Sequence, residues 1–159
     1  MNPGKGLSYN IYTRFGDSVD YVNSRPAKSK LLMPTAAFSI GKHLNVNIRY
    51  IYENLSLTGA KIYTANLLQN RFVYNINVRT FVRAILQYTH ISRNVALYLD
   101  DSVPALTKSL FTQFLISYKI NPRKVLFIGY SDNQSDNNGF DLIRSDRTFF
   151  LKIGYALTL

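Results

Sequence analysis

The chain has 159 residues, 47% of them hydrophobic and 18% charged, with 19 Lys and Arg against 9 Asp and Glu for a net charge of +10. An average soluble protein carries about 25% charge, so the shortage speaks against a surface coated for water, and no run of about 18 apolar residues exists to cross a membrane as a helix. The positive charges fall singly on strands and in small groups at turns, without RNP-like, zinc-finger or helix-turn-helix patterns, which leaves no nucleic-acid partner to expect.

Period-2 alternation predicts eight strands. The first, about 6–16, alternates Leu7, Tyr9, Ile11, Thr13 and Phe15 with Ser8, Asn10, Tyr12 and Arg14, and a polar loop with Asp17, Asp20 and Pro26 follows. The second, about 31–40, is weakened by Pro34, which lacks a ladder donor, and turns at Gly41-Lys42-His43. The third, about 44–56, sets Leu44, Val46, Ile48, Tyr50 and Tyr52 against Asn45, Asn47, Arg49, Ile51 and Glu53. After a turn at Thr58-Gly59, the fourth, about 61–75, opposes Leu68, Phe72 and Tyr74 to Gln69 and Arg71 and turns at Asn75-Ile76-Asn77.

The fifth, about 78–90, sets Val78, Thr80, Val82, Ala84, Leu86 and Tyr88 against Arg79, Phe81, Arg83, Ile85 and Gln87, and 91–107 is a long connection. The sixth, about 108–120, opposes Leu110, Phe114, Ile116 and Tyr118 to Phe111, Gln113, Leu115, Ser117 and Lys119 and turns at Asn121-Pro122-Arg123. The seventh, about 124–131, separates Leu126, Ile128 and Tyr130 from Phe127, Gly129 and Ser131. After a polar loop over 132–145, the eighth runs from 147 to 159, with Phe149, Leu151, Ile153, Tyr155, Leu157 and Leu159 on one face.

Short turns after strands two, four and six, and longer connections elsewhere, give the asymmetry of periplasmic turns against extracellular loops, with both chain ends on the periplasmic side. A membrane barrel and a soluble barrel share this alternation turned inside out, so energy must choose. Arg at the midplane of a membrane barrel costs about 2–4 kcal/mol, and strands three and five each keep one face almost free of charge. Expected strands of roughly 10–13 residues also suit a tilted span of about 9–11 better than the soluble mode of about 5–6. The expected fold is therefore an all-β, antiparallel up-and-down transmembrane β-barrel in the Gram-negative outer membrane, its apolar face on lipid. The 12 Tyr and 10 Phe suit interfacial girdles, although Trp is absent.

The lumen-facing set on this reading is Arg14, Asn45, Asn47, Arg49, Glu53, Gln69, Arg71, Arg79, Arg83, Gln87, Gln113, Lys119 and Lys152. Its cations either line a path that favours anionic solutes or pair with Glu53 and a neighbouring segment to fill the interior. Lys152, Gly154, Leu157 and Leu159 resemble the signal by which the barrel-assembly machinery recognises a last strand, with Leu in place of the more usual terminal aromatic. The amino terminus lacks the apolar segment and cleavage site of a secretory signal. That absence predicts a carboxy-terminal portion of a longer precursor, whose upstream strands would join the same barrel.

Thr64-Ala65-Asn66-Leu67, the segment Asn77 to Ala84 with Gln87-Tyr88, Ser117 to Pro122, Gly129 to Asn133 and Asp146 to Lys152 resemble a bacterial outer-membrane family. Its members join an amino-terminal module like the family 9 carbohydrate-binding modules to a carboxy-terminal barrel domain of unknown function. The resemblance covers about residues 60–159 most closely. It implies a barrel of more than eight strands, a separate binding module upstream and no established catalytic residues.

His43 and His90 are far apart and lack Cys, Asp or Glu at ligand spacing, so neither points to a metal. Asp136-Asn137-Asn138-Gly139-Phe140-Asp141 has the look of a calcium loop, but Gln134 and Ser145 stand where two carboxylates belong. No general acid–base pair, phosphate loop or dinucleotide fingerprint occurs, so no enzyme and no cofactor are expected. Solute passage, with a glycan association, is the leading expectation; a non-conducting anchor for a missing periplasmic or surface module is the alternative.

Overall fold

The computed structural model describes residues 6–100, 102–136 and 141–156. Eight strands, β1 (Ser8–Asp20), β2 (Arg25–Ile40), β3 (Leu44–Leu57), β4 (Ala60–Asn75), β5 (Thr80–Arg93), β6 (Leu106–Asn121), β7 (Lys124–Asp136) and β8 (Ile143–Tyr155), form one antiparallel sheet in sequence order. A 3₁₀ turn, Val95–Leu97, lies in the connection between β5 and β6. The sheet is not closed: β1 and β8 are its two edges and do not pair with each other.

The strands run further than alternation alone predicts. β1 continues to Asp20 and β2 begins at Arg25, so the expected polar loop is a hairpin joined by residues 21–24. Asp17 pairs with Lys28, and Ser18 with Ala27, in unbroken register. β7 likewise runs to Asp136 and β8 starts at Ile143, each well inside the expected loop. Polar residues stay in a ladder because the neighbouring strand already offers paired backbone groups, which needs no apolar face. β5 reaches Arg93, β6 begins at Leu106 and β8 ends at Tyr155. The loop asymmetry is correspondingly milder than expected, resting mainly on the 94–105 connection.

Pro34 sits inside β2, paired with Ile11 of β1, while the β2–β3 ladder lacks the pairs at Met33 and Pro34 and keeps the same register on either side. A missing N–H leaves that mark on a ladder. Gly59, with φ 82°, closes the two-residue β3–β4 turn in a conformation that favours glycine. A bulge at the end of β3 pairs Leu55 with Tyr63 and Ser56 with Lys61, which leaves Ile62 as the extra residue.

That bulge serves packing. Ile62 is fully buried and joins Ala27 and Leu55 in a small core at the loop end, against which Leu57, Tyr63, Leu97 and Tyr98 pack. The long connection therefore folds back over the sheet. It is tied to the β1–β2 turn by Arg25, which bonds the Leu97 carbonyl, and by the Leu99 N–H to Asn23 Oδ1 at 3.1 Å. Burial of Asp20 works against its charge, but hydrogen bonds from Asn23 at 2.7 Å and Arg25 at 2.9 Å outweigh it and hold the carboxyl below the usual range.

The two faces of the sheet differ. Leu68, Tyr74, Leu86, Tyr88, Phe114, Ile116, Phe149, Leu151 and Ile153 lie on one face and are 39–70% exposed, while Leu44, Ile48, Tyr50, Phe72 and Val82 on that face are half-buried and Val46, flanked by Phe38 and Phe72, is buried. On the other face Leu115, Ser117 and Gly129 are buried, and Phe81, Ile85, Phe111, Phe127 and Phe150 are half-buried. Crowding on one side of a single layer is what inward curvature produces, and the crowded side is called the inner face below. Gly129 fits this crowding: a Cβ there would lie 2.1 Å from the Phe150 ring, which covers the glycine from the neighbouring strand.

Candidate functional site

Cross-strand partners share a face, so the register settles which expected lumen residues belong together. Asn47, Arg71, Ile85 and Gln113 form one row; Arg49, Gln69, Gln87 and Phe111 form the next. Asn45 is level with Val73 and Arg83, Arg14 is linked through Leu31 to Glu53, and Phe127 pairs with Lys152. All of these lie on the inner face. Lys119 closes the set at the turn end, its N–H donating to the Arg79 carbonyl at 2.7 Å, with Arg79 just ahead of β5.

Few of these groups satisfy one another. Gln69 Nε2 donates to Gln87 Oε1 at 3.0 Å, and an Arg83 terminal nitrogen donates to Gln113 Oε1 at 3.1 Å. The ion pairs lie elsewhere: Asp20 with Arg25 at the loop end, and Asp132 with Arg144 and Arg147 at 3.0 and 4.0 Å on the outer face. Among the described residues, Glu53 forms no ion pair with an inner-face cation, so the expected pairing that would neutralise them is not made. Two cavities open at the turn end: one of about 580 Å³ beside Asn45, Asn47, Arg49 and Arg71, and one of about 650 Å³ beside Lys42, Arg79, Phe81, Lys119 and Phe127. Asn75 lines both.

The outer face carries a belt whose slope only the register reveals. Across the sheet, Phe38, Val46, Phe72, Ala84, Phe114, Tyr130 and Phe149 are level. Ile40, Leu44, Tyr74, Val82, Ile116, Ile128 and Leu151 form the next row toward the turns. Toward the loops the belt ends at different rows on different strands. On β8 the first charged outer residue is Arg147, whose row runs through Asp132, Thr112, Leu86, Asn70, Ile48 and Ala36 to Tyr9. On β1 it is Asp17, eight residues beyond Tyr9, with Lys108 on β6 and Lys30 on β2 between these limits.

Eight residues over seven strand steps is about 26 Å along the strands against about 34 Å across them, so the belt crosses the strands at about 38° from the perpendicular. Leu44–Tyr52 then spans about 21 Å measured across the belt. Asn66, Asn70 and Thr112 interrupt it, and Asn66 accepts a hydrogen bond from Tyr50 at 2.6 Å.

Of the assembly-signal residues, Lys152 and Gly154 lie on β8, on the inner face, whereas Leu157 and Leu159 lie outside the described residues. The calcium-like segment also lies largely outside them, and among the described residues no group of three metal-ligating side chains occurs. His43 Nδ1 is 2.6 Å from the Asn75 carbonyl and its ring packs on Tyr74, a turn-stabilising role. Sequence reasoning did not find the docked 94–105 connection, because Leu97 and Tyr98 make no periodic pattern. The only hint was the apolar pair itself. Comparison with known proteins gives no relatives: no family model, curated protein or solved structure matches the chain.

Proposed function

We propose that this chain is a segment of an outer-membrane β-barrel that passes solutes across the bilayer along its inner face. The slope of the outer belt carries this reading. Strands in membrane barrels tilt by about 35–45° while the hydrocarbon layer stays flat, so an apolar band about 25 Å tall must drift along the register. The belt here drifts by the corresponding amount and has about that height. A soluble sheet buries whatever patch its second layer covers, and nothing makes that patch a level slab cut obliquely through eight strands.

On this reading the two edges, β1 and β8, meet further strands of the same protein, and the barrel-assembly machinery inserts the whole into lipid. Carbohydrate-derived solutes suit the upstream module that the family resemblance implies. The protein acts by passage and performs no catalysis. Spin labels test the orientation: labels replacing Val46, Val82 and Leu151 should contact acyl chains, and labels replacing Arg49 and Arg83 should contact water. The reverse pattern would overturn it.

The aromatic residues on the inner face favour a second reading. Phe81, Phe111, Phe127 and Phe150 project beside the cations, as in a filled barrel that anchors a module and conducts nothing. Single-channel recording of the full-length protein in planar bilayers separates the two, since an anchor gives no current steps.

A further inference from the structure

Arg49 on β3, Arg71 on β4 and Arg83 on β5 are diagonal neighbours on the inner face. Arg71 stands two residues from Gln69, the partner of Arg49, and Arg83 stands two residues from Ile85, the partner of Arg71. Diagonal neighbours lie about 7–8 Å apart, and like charges at that spacing repel. The three step toward the turns by two residues per strand, in the same sense as the belt's drift of about 1.1 residues per strand, so their heights differ by about 4–5 Å in all and lie near its mid-height. Along the strands the three spread over about 13 Å; the tilt reduces their spread in height to about 4–5 Å.

Nothing in the described residues neutralises this ladder, since none of the three makes an ion pair. Arg83 has a buried Nε without a partner, although its terminal nitrogen reaches Gln113. Glu53, the carboxylate on the same strand as Arg49, is four residues away, about 13 Å along the chain. The cavity of about 580 Å³ opens directly on Arg49 and Arg71, with the amides of Asn45, Asn47 and Asn75 around it. Two guanidinium groups without carboxylate partners on an open cavity, a third, Arg83, on the adjoining strand, and the side-chain amides of Asn45 and Asn47 are the recognition chemistry for oxyanions.

We propose that Arg49, Arg71 and Arg83 form a selectivity site for multiply charged anions, solutes bearing two or more carboxylate, sulfate or phosphate groups. The inference rests on the passage reading and names its cargo. A guanidinium fork binds each oxyanion, and the spacing of the ladder rewards a solute whose charges are themselves spaced. Arg14 and Lys152 extend the same positive field on β1 and β8.

The test is made on the full-length protein in planar bilayers, with the reversal potential read under a KCl gradient. At about 7 Å in water each unit charge weights a monovalent ion by about threefold, reduced to about 1.6-fold by screening at roughly 0.1 M salt, so three charges that enrich chloride and deplete potassium alike should make the wild type prefer chloride by roughly twentyfold. R49Q/R71Q/R83Q should bring that preference close to unity, with tripolyphosphate blocking the wild type and sparing the variant. A cation-selective wild type, or a variant with unchanged selectivity, would overturn the site. Should the protein conduct nothing, passage fails but the site is still decided: tripolyphosphate must raise the unfolding midpoint of the vesicle-inserted wild type and leave that of R49Q/R71Q/R83Q unmoved. No shift in either protein refutes the anion site as well.

Discussion

Arginine placed at three points of one register row separates a tilted belt from a merely apolar face. Phe38, Ala84 and Phe149 are level in the sheet, so a belt parallel to the rows would place all three at one depth. The observed slope does not. With the upper edge falling from Asp17 on β1 to Arg147 on β8, and each residue rising about 2.6 Å along the axis, Ala84 lies within about 2 Å of mid-height. Phe149 then lies about 8 Å above the middle and Phe38 about 10 Å below it, both close to the interface. Arg costs about 2–4 kcal/mol at the midplane and about 0–1 near the interfaces. Ala84→Arg should therefore destabilise the vesicle-inserted protein by about 2–4 kcal/mol. The increment of Phe149→Arg over Phe149→Ala, and of Phe38→Arg over Phe38→Ala, should be about 0–1 kcal/mol. Reversible guanidinium unfolding from phospholipid vesicles measures each. Equal increments at the three positions would refute the slope, and no penalty at Ala84 would refute lipid contact altogether.

Three other perturbations address the loop end and the inner face. Ile62→Ala should cost about 2–5 kcal/mol, because the fully buried bulge residue is the centre of the small core beneath the docked connection; protease cleavage within 94–105 should rise in parallel, and unchanged stability would contradict that packing. Gly129→Ala should cost about 1–3 kcal/mol by displacing the Phe150 ring, and Phe150→Leu should relieve most of that cost in the double variant, read as a double-mutant cycle by unfolding. The Asp20 carboxyl is held below its ordinary 3.8, so its stabilisation is complete above that value and is lost as pH falls through the lower native one. Cleavage of the 94–105 connection should accordingly increase on acidification below about pH 4. Asp20→Asn should remove that dependence, and a cleavage rate flat with pH in the native protein would exclude the Asp20 tether.

The sequence made the strands and their faces legible where one face was apolar. Val46, Val82 and Leu151 alternate with Asn45, Arg83 and Lys152 in plain view, and each strand there needs only its own residues to declare its phase. Beyond the belt both faces are polar, alternation carries no contrast, and β1, β2, β7 and β8 continue unseen through Asp17, Lys28, Asp132 and Arg144. Pro34 was a visible defect, but only the neighbouring strands show that its missing donor faces β3. Ile62 read as part of an alternating strand, since a bulge is defined by two strands jointly.

The same distinction explains why the arginines could be nominated singly but not as a site. Arg49, Arg71 and Arg83 are widely separated in sequence, and alternation says only that each avoids the apolar face. Their adjacency follows from register, and their closeness in depth from register together with slope. A charge on the midplane face of a lipid-embedded strand is costly, so the inner face is where such residues must go; yet inward placement alone leaves them free to scatter along the axis. Their clustering within about 4–5 Å of height, three strands running and without a carboxylate opposite, goes beyond what avoidance of lipid requires. Mutual repulsion would disperse residues that merely fill space, and would persist where an anion regularly offsets it. For that reason, single Arg→Gln changes at 49, 71 or 83 should each raise the unfolding stability slightly in anion-free buffer by relieving like-charge repulsion. A loss of stability at all three would mark the ladder as structural filling instead.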